Sequence, residues 1–298
     1  MSSKEKTEEE FTQIKESISG GKKKERVSLI ELFKPAIRLV LLIGVVIAIL
    51  QQITGINAVF FYAPMIFKQT GIGTDASFAQ AIIVGLTNLV FTIVAILFVD
   101  RFGRKKLLVI GVSGIVISMF VLAYGFNTAK YELKTESVTQ LVQDEQLMPL
   151  KQLEGKSYES DLAFKQALSN TLGETLAEEK QGDIIEQAIT INPWLVLFGI
   201  IGFVAAFAVS LGPVMWILFS ELFPNRLRGL AISFAGFVNS GISFSVQLLF
   251  PWELSNIGNA ATFMIFGIFG FLGLIFIVFK LPETKGKSLE ELENVLTK

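Results

Sequence analysis

Long apolar stretches alternate along this chain with short polar joints and one long polar interruption. Six such stretches lie near residues 39–67, 78–99, 107–126, 193–219, 230–250 and 260–279. Each runs for about 20 residues or more, the length a helix needs to cross the roughly 30 Å hydrocarbon core of a bilayer. The pattern predicts an all-α membrane protein with a six-helix bundle over 36–280. Residues 1–35 are polar and Lys/Glu-rich, with a helical pattern at 8–18 and a short amphipathic helix at 28–33 before Pro35. A polar tail, 281–298, closes the chain.

Polar side chains inside the apolar stretches carry the chemistry. Gln51, Gln52, Thr54, Gly55 and Asn57 interrupt the middle of the first. Amides at that depth are costly unless they face protein or water, so they mark a candidate site. Gln52 and Asn57 are five residues apart and would diverge on a regular helix. Thr54-Gly55 is a point where the helix can loosen, because Gly is a poor helix former and a Thr hydroxyl bonds back to the backbone. Local unwinding would turn both amides toward one cavity, as in the broken helices of transporters. The bland alternative is that these amides only tie helices together. Asn88 and Thr92 repeat a helical spacing in the second span, and Asn239, Ser243 and Gln247 form a stripe in the fifth. In the fourth, Pro213 should kink the helix, and Gly212 and Trp216 share a face, a bare patch beside an aromatic. Gly267, Gly270 and Gly273 make the sixth a close-packing helix.

Charge sets the orientation. Lys22, Lys23, Lys24, Arg26, Lys34 and Arg38 precede the first span, and Arg101, Arg104, Lys105 and Lys106 separate the second and third. Arg226 and Arg228 lie between the fourth and fifth, and Lys280, Lys285, Lys287 and Lys298 follow the sixth. All fall on one side, which places both termini in the cytoplasm of a multi-pass cell-membrane protein. Residues 127–192 form the long outer insertion, with twelve Asp or Glu against six Lys. Leu141, Leu147, Leu150, Leu153 and the segment 161–180 suggest short amphipathic helices. The segment is weakly apolar, and a solvated insertion is the expectation.

Composition narrows the function. The 298 residues are 51% hydrophobic and include no Cys and no His, which removes thiolate metal sites, most nucleophilic triads and any His relay. The expectation is no enzyme, no cofactor and no metal. The segregated charges give no nucleic-acid footprint.

The motifs together resemble the C-terminal half of the sugar porter family of the major facilitator superfamily. They are Gln-Gln-x-x-Gly-Ile-Asn at 51–57, Asp-Arg-x-Gly-Arg-Lys at 100–105 and Gly-Pro-x-x-Trp at 212–216. Ser-Glu-Leu-Phe-Pro at 220–224 with Arg228-Gly229, and Pro-Glu-Thr-Lys-Gly at 282–286, complete the set. The pattern is similar to that of the family's bacterial proton-coupled xylose carriers. The resemblance implies half of a 3+3 inverted-repeat fold, with residues 1–35 as the end of a central cytoplasmic helical linker. It implies monosaccharide contacts at Gln51, Gln52, Asn57, Asn88, Gly212, Trp216 and Asn239. It also implies a cytoplasmic charge cluster of Asp100, Arg101, Arg104, Glu221 and Arg228 that steadies the outward-facing state. Phe61 stands where the xylose carriers have a tyrosine and Ser240 where they have a tryptophan, so the sugar is left open.

The implied partners are a hexose or pentose, the bilayer and a missing N-terminal six-helix half, which would carry any proton coupling. Two other readings stay open: a non-transporting membrane sensor or partner-binding protein, and a porter of a polyol-like solute.

Overall fold

The computed structural model describes residues 28–68, 70 and 74–286. The helical pattern at 8–18, the lysines and arginine at 22–26 and the tail lysines 287 and 298 lie outside the described residues. Six stretches of helix are long and apolar enough to cross a membrane: Ile37–Lys68, Phe78–Phe102, Arg104–Asn127, Pro193–Leu222, Arg228–Asn256 and Gly258–Lys280. Leu29–Phe33 form a short 3₁₀ helix held by a reciprocal cap between Ser28 and Glu31.

Two of the six spans are broken in the middle. The first consists of α1 (Pro35–Ile53) and α2 (Ile56–Lys68). Between them the Gly55 N–H bonds the Gln52 carbonyl at 2.9 Å, and Gly55 adopts a φ of 88°, which disfavours any side chain. The Thr54 hydroxyl bonds back to the Gln51 carbonyl at 3.3 Å. The loosening expected at Thr54-Gly55 is therefore a complete break. After α3 (Thr74–Phe102) and α4 (Arg104–Asn127), the other broken span consists of α8 (Pro193–Ala208) and α9 (Leu211–Leu222). This break sits at Val209-Ser210, one turn before the kink expected at Pro213. Pro213 has no N–H for the Val209 carbonyl, and its ring crowds the carbonyl four residues back, so the helix restarts after that carbonyl. The last two spans, α10 (Arg228–Asn256) and α11 (Gly258–Lys280), are continuous.

Helices α4 and α11 pack closely because glycine lets them. A Cβ on Gly267 would meet Phe120 at 3.0 Å, and one on Gly270 would meet Val116 at 3.2 Å. Gly273 is crowded by Leu50 of α1, so all three glycines of the last span face neighbouring helices. By contrast, α3 and α10 leave long apolar rows exposed, including Ile82, Leu86, Leu89, Ile96 and Leu97 on one and Phe237, Phe244 and Leu248 on the other.

The insertion is not the solvated segment its composition predicts. It folds around a core of its own, with Tyr131, Leu133, Val138, Leu150, Phe164, Leu168 and Ile184 buried. Strand β1 (Lys130–Glu132) lies between β2 (Ser157–Tyr158) and β3 (Ile189–Thr190), antiparallel to both, with Tyr131 opposite Tyr158 and Ile189. Helices α5 (Thr135–Leu141), α6 (Asp161–Leu172) and α7 (Glu174–Ala188) and a 3₁₀ helix at Glu145–Leu153 cover the sheet. The leucines at 147, 150 and 153 all face this core.

Two contacts fasten the insertion to the bundle. The buried Asp161 carboxylate accepts the Asn259 N–H at 3.0 Å at the start of α11, where Gly258 has a φ of 84°. Lys165 bonds Asp161 at 3.1 Å and the Leu254 carbonyl at 2.6 Å. On the other side, Lys68 at the end of α2 pairs with Asp183 at 2.6 Å and with Glu186 at 3.8 Å. Tyr131, stacked on Phe164 at 5.7 Å, has its phenol pushed up by burial and by the charge of Asp161.

Two outcomes are expected. Asp161→Ala removes the carboxylate partner of the partly buried Lys165 and the cap of a helix, and should cost about 3 kcal/mol, read as early hydrogen exchange of 130–190 and the first turn of α11. Because folding raises the Tyr131 pKa, the unfolded chain loses that proton first as pH climbs past 10.0. The insertion should therefore lose stability above that pH, and Tyr131→Phe should reduce the loss in an alkaline melting series, leaving the part that comes from Lys68 and its carboxylates.

Candidate functional site

Both helix breaks meet at one place. Gln51, in the last turn of α1, donates from Nε2 to the carbonyl of Leu211 at 2.9 Å and more loosely to that of Gly212 at 3.5 Å, in the first turn of α9. From α10, Asn239 donates from Nδ2 to the Ala48 carbonyl at 2.9 Å and to Gln51 Oε1 at 2.7 Å. Gln52 Nε2 then donates to Gln51 Oε1 at 3.2 Å and to Asn239 Oδ1 at 3.1 Å. Beyond the break, Asn57 Nδ2 donates to Gln52 Oε1 and to Ser243 Oγ, both at 2.8 Å. Gln247 donates to the same Ser243 oxygen at 2.9 Å. The break at Gly55 makes this relay geometrically available, since it turns Asn57 back over Gln52. Four amides from three helical segments thus form one buried cluster, with Gln51, Gln52 and Asn239 each under a tenth exposed.

A cavity of about 550 Å³ opens over this cluster, lined by Gln51, Gln52, Ile56, Asn57, Phe60, Phe61, Asn88, Phe207 and Gly212. Its size falls within the usual range for small-molecule sites. Five of the seven residues expected to contact a ligand therefore share one wall. The other two do not. Asn239 lies behind the glutamines and holds them, and is absent from the lining. Trp216 is also absent: it sits half exposed, edge-on to Phe219 at 5.9 Å, with its ring tip beside Gly236 of α10. The i, i+4 spacing does put Gly212 and Trp216 on one side of α9, but Gly212 starts the helix at the break and Trp216 lies a full turn further from it. Ser243, part of the polar stripe read in the sequence but not ranked as a site residue, is tied directly to Asn57.

The expected charge cluster is partly assembled at the opposite end of the bundle from the insertion. Arg104 pairs with Glu221 at 2.6 Å and with the exposed Asp100 at 2.9 Å. Arg101 is not in the ion-pair set among the described residues; only its carbonyl takes part, accepting from Lys285 Nζ at 2.6 Å. Arg228 reaches no carboxylate among the described residues either, and bonds the Phe223 carbonyl at 3.2 Å. Glu283 and Thr284 were not singled out by charge pattern, yet they complete the cluster. Thr284 donates to Glu221 at 2.7 Å, and Glu283 accepts the Arg104 N–H at 3.0 Å, capping α4. Gly103, at φ 89°, leaves no room for a Cβ, which would lie 2.7 Å from Glu283. The Pro-Glu-Thr motif carried that signal, since its carboxylate follows the last span at the end where α4 begins.

The broken spans, the amide cavity and the charged end belong to one bundle of six membrane-length spans. The chain matches the family described as "Sugar (and other) transporter" over residues 1–142 and 178–296. It belongs to that family, a sugar porter of the major facilitator superfamily with the fold of that superfamily's C-terminal half. It is 33% identical over 290 residues to the arabinose-proton symporter of Bacillus subtilis strain 168, covering 97% of this chain and 49% of that protein. It is 35% identical over 260 residues to the D-xylose-proton symporter of Escherichia coli K12, covering 85% and 40%. Among solved structures, the inward-open xylose transporter XylE from E. coli is similar with a TM-score of 0.60 and 31% identity, covering 96% and 45%. The proton:xylose symporter XylE bound to 6-bromo-6-deoxy-D-glucose gives 0.60 and 33%, covering 87% and 44%. The chain spans about half the length of the curated relatives it matches. The family match passes over residues 143–177, within the insertion.

A pair of substitutions separates scaffold from lining. Asn239→Ala leaves the Ala48 carbonyl, Gln51 Oε1 and Gln52 Nε2 short of partners and should cost about 1–3 kcal/mol of stability. Asn88 makes no hydrogen bond among the described residues, so Asn88→Ala should change thermal stability by less than about 0.5 kcal/mol. Melting curves of the two purified variants check the contrast.

Proposed function

We propose that this six-helix unit is the sugar-holding half of a membrane carrier for a hexose or pentose. It works by alternating access against a second six-helix bundle, carried on the same polypeptide or on a separate one. The observation behind this reading is the buried amide cluster joining two helix breaks beneath a cavity of about 550 Å³. Amides and apolar walls suit a ring with many hydroxyls, and relatives bearing the names arabinose-proton and D-xylose-proton symporter support the substrate class. A carrier of this kind needs no bond-making residues, so the protein is read as a transporter and not an enzyme. The lining amides Gln51, Gln52, Asn57 and Asn88 hold hydroxyls, Gly212 leaves space for the ring, and Asn239 positions the glutamines. Trp216 closes over the sugar only if α9 or α10 moves.

The unit sits in the cell membrane with its basic end, which holds the Arg104–Glu221 pair, in the cytoplasm and the insertion outside. The exposed apolar rows on α3 and α10 face lipid or the second bundle. Any proton coupling belongs to that bundle, because the charged residues of the described spans cluster at their ends, as do Asp100, Glu221 and Glu253. The Arg104–Glu221–Thr284 network is read as the inner latch that holds the outward-facing state.

Uptake of labelled hexoses and pentoses tests the reading. Residues 1–298 expressed with a six-helix N-terminal half should accumulate one sugar saturably and stereoselectively, in a strain lacking its own sugar uptake. The same residues expressed without that half should match the vector control. Saturable uptake by residues 1–298 alone would point instead to a symmetric pairing of two copies.

Glu221→Gln in the assembled carrier should lower labelling by outer-side probes and raise inner-side labelling. Loss of one charged partner from a partly buried pair costs more than the roughly 0–1 kcal/mol of an exposed pair, enough to shift a balanced equilibrium.

A further inference from the structure

Helix α2 is at once a wall of the cavity and a rod held at its far end by the insertion. Its first turns give Ile56, Asn57, Phe60 and Phe61 to the lining. About 17 Å further along, at roughly 1.5 Å of rise per residue, the helix ends at Lys68. There Lys68 meets Asp183 at 2.6 Å and Glu186 at 3.8 Å, both on α7 of the insertion. No other residue of α2 carries a charge, so this is its ionic tie. At the near end Gly55 separates α2 from α1, and no continuous helix spans the break. Between the two ends α2 rests on α10, through the Asn57–Ser243 bond and through Tyr62, whose ring lies 5.2 Å from that of Phe250.

The insertion is itself anchored to other spans. Lys165 of α6 holds the Leu254 carbonyl of α10, and Asp161 holds the Asn259 N–H of α11. Helices α6 and α7 pack together around Phe164, Leu168 and Ile184. A pull on Lys68 therefore passes through a close-packed domain, which deforms little, to the outer ends of α10 and α11.

We infer that the insertion is a strap: it ties the outer end of α2 to α10 and α11, and the Lys68 pairs govern how freely α2 tilts about Gly55. The inference rests on the sugar-carrier reading, in which the cavity opens to one side and then to the other. The strength of the tie suits that task. Asp183 is 63% exposed and Lys68 28%, so water and salt reach the pair. It is weak enough to be released in each cycle and sensitive to the ionic strength outside.

The chain has no Cys, so Lys68→Cys with Asp183→Cys gives one thiol pair when the second half is also cysteine-free. In the assembled two-half carrier, a short bis-methanethiosulfonate bridges the two positions and a reductant later removes the bridge. Bridging should slow uptake of the labelled sugar by about tenfold or more, since a gating step is then blocked. Reductant should restore the rate, and each single-cysteine carrier should be indifferent to the reagent. Cutting the strap should do the reverse. Lys68→Met keeps the stem and removes the charge, while Asp183→Asn with Glu186→Gln removes the same tie from the other side. Both should raise the maximal rate in proteoliposomes by about two- to fivefold at low salt. External salt is then raised from about 10 mM to about 1 M at constant osmolarity, which shortens the screening length from about 30 Å to about 3 Å. The parent should speed up and both variants should stay unchanged. A bridged carrier as fast as its reduced form, or variants that keep the parent's response to salt, would overturn the inference and leave the carrier reading intact. Absence of sugar uptake by the parent itself overturns the carrier reading, and this inference with it.

Discussion

A polar group within a lipid-spanning helix has no water to turn to, and this single constraint organises the centre of the molecule. An unpaired amide there costs several kcal/mol. Gathering four side-chain amides in one place, three of them buried, is tolerable only because they satisfy each other in sequence, beginning at the carbonyls of Ala48 and Leu211. Those contacts also join parts of the chain far apart in sequence. Segments α1, α9 and α10 are held together by hydrogen bonds with direction as well as by packing, so the cavity wall has a defined polarity and shape. The helix breaks serve the same end. Gly55 lets Asn57 fold back toward Gln52, and the restart at Ser210 brings the carbonyls of Leu211 and Gly212 within reach of Gln51.

The two ends of the bundle use one device twice. Helix α4 begins after Gly103 and helix α11 begins with Gly258, and both glycines have a positive φ. In each case a carboxylate from elsewhere in the chain occupies the space a Cβ would need: Glu283 at Gly103 and Asp161 at Gly258. A negative group there meets unpaired N–H groups and the positive end of the helix dipole. The paired helices are the ones that pack most closely through Gly267 and Gly270. They form a stiff rail, pinned at one end by the segment after the last span and at the other by the insertion.

Much of this was legible in the sequence. Six apolar lengths, amides buried inside them and basic loops on one side follow directly from the cost of exposing each group in the wrong medium. The break at Thr54-Gly55 was readable because Gly, Thr and two amides crowd one turn. The insertion was not readable, because its strands are two or three residues long and show no periodicity. Its core also draws on residues from Tyr131 to Ile184 that lie far apart in sequence. Trp216 stands outside the cavity lining, because helical spacing gives a face but not which neighbour stands beyond it. Arg101 and Arg228 carry the right charge near the right joints, yet only Arg104, at the start of α4, pairs with Glu221 among the described residues. Glu283 and Thr284 stand in a motif visible in the sequence, but which partners they meet, the Arg104 N–H and Glu221, depends on how the spans pack.

The insertion gives the protein a core of two solvents. Its leucines, Tyr131 and Phe164 are shielded from water by their own small domain, whereas the spans sort themselves in hydrocarbon. The contacts of Asp161 with Asn259 and of Lys68 with Asp183 cross the boundary between those two regions. Neither can close until the insertion has folded and the spans at both ends of the sequence have come together. A bundle assembled around a misfolded insertion would therefore leave Lys68 without its carboxylates and the first turn of α11 without its cap.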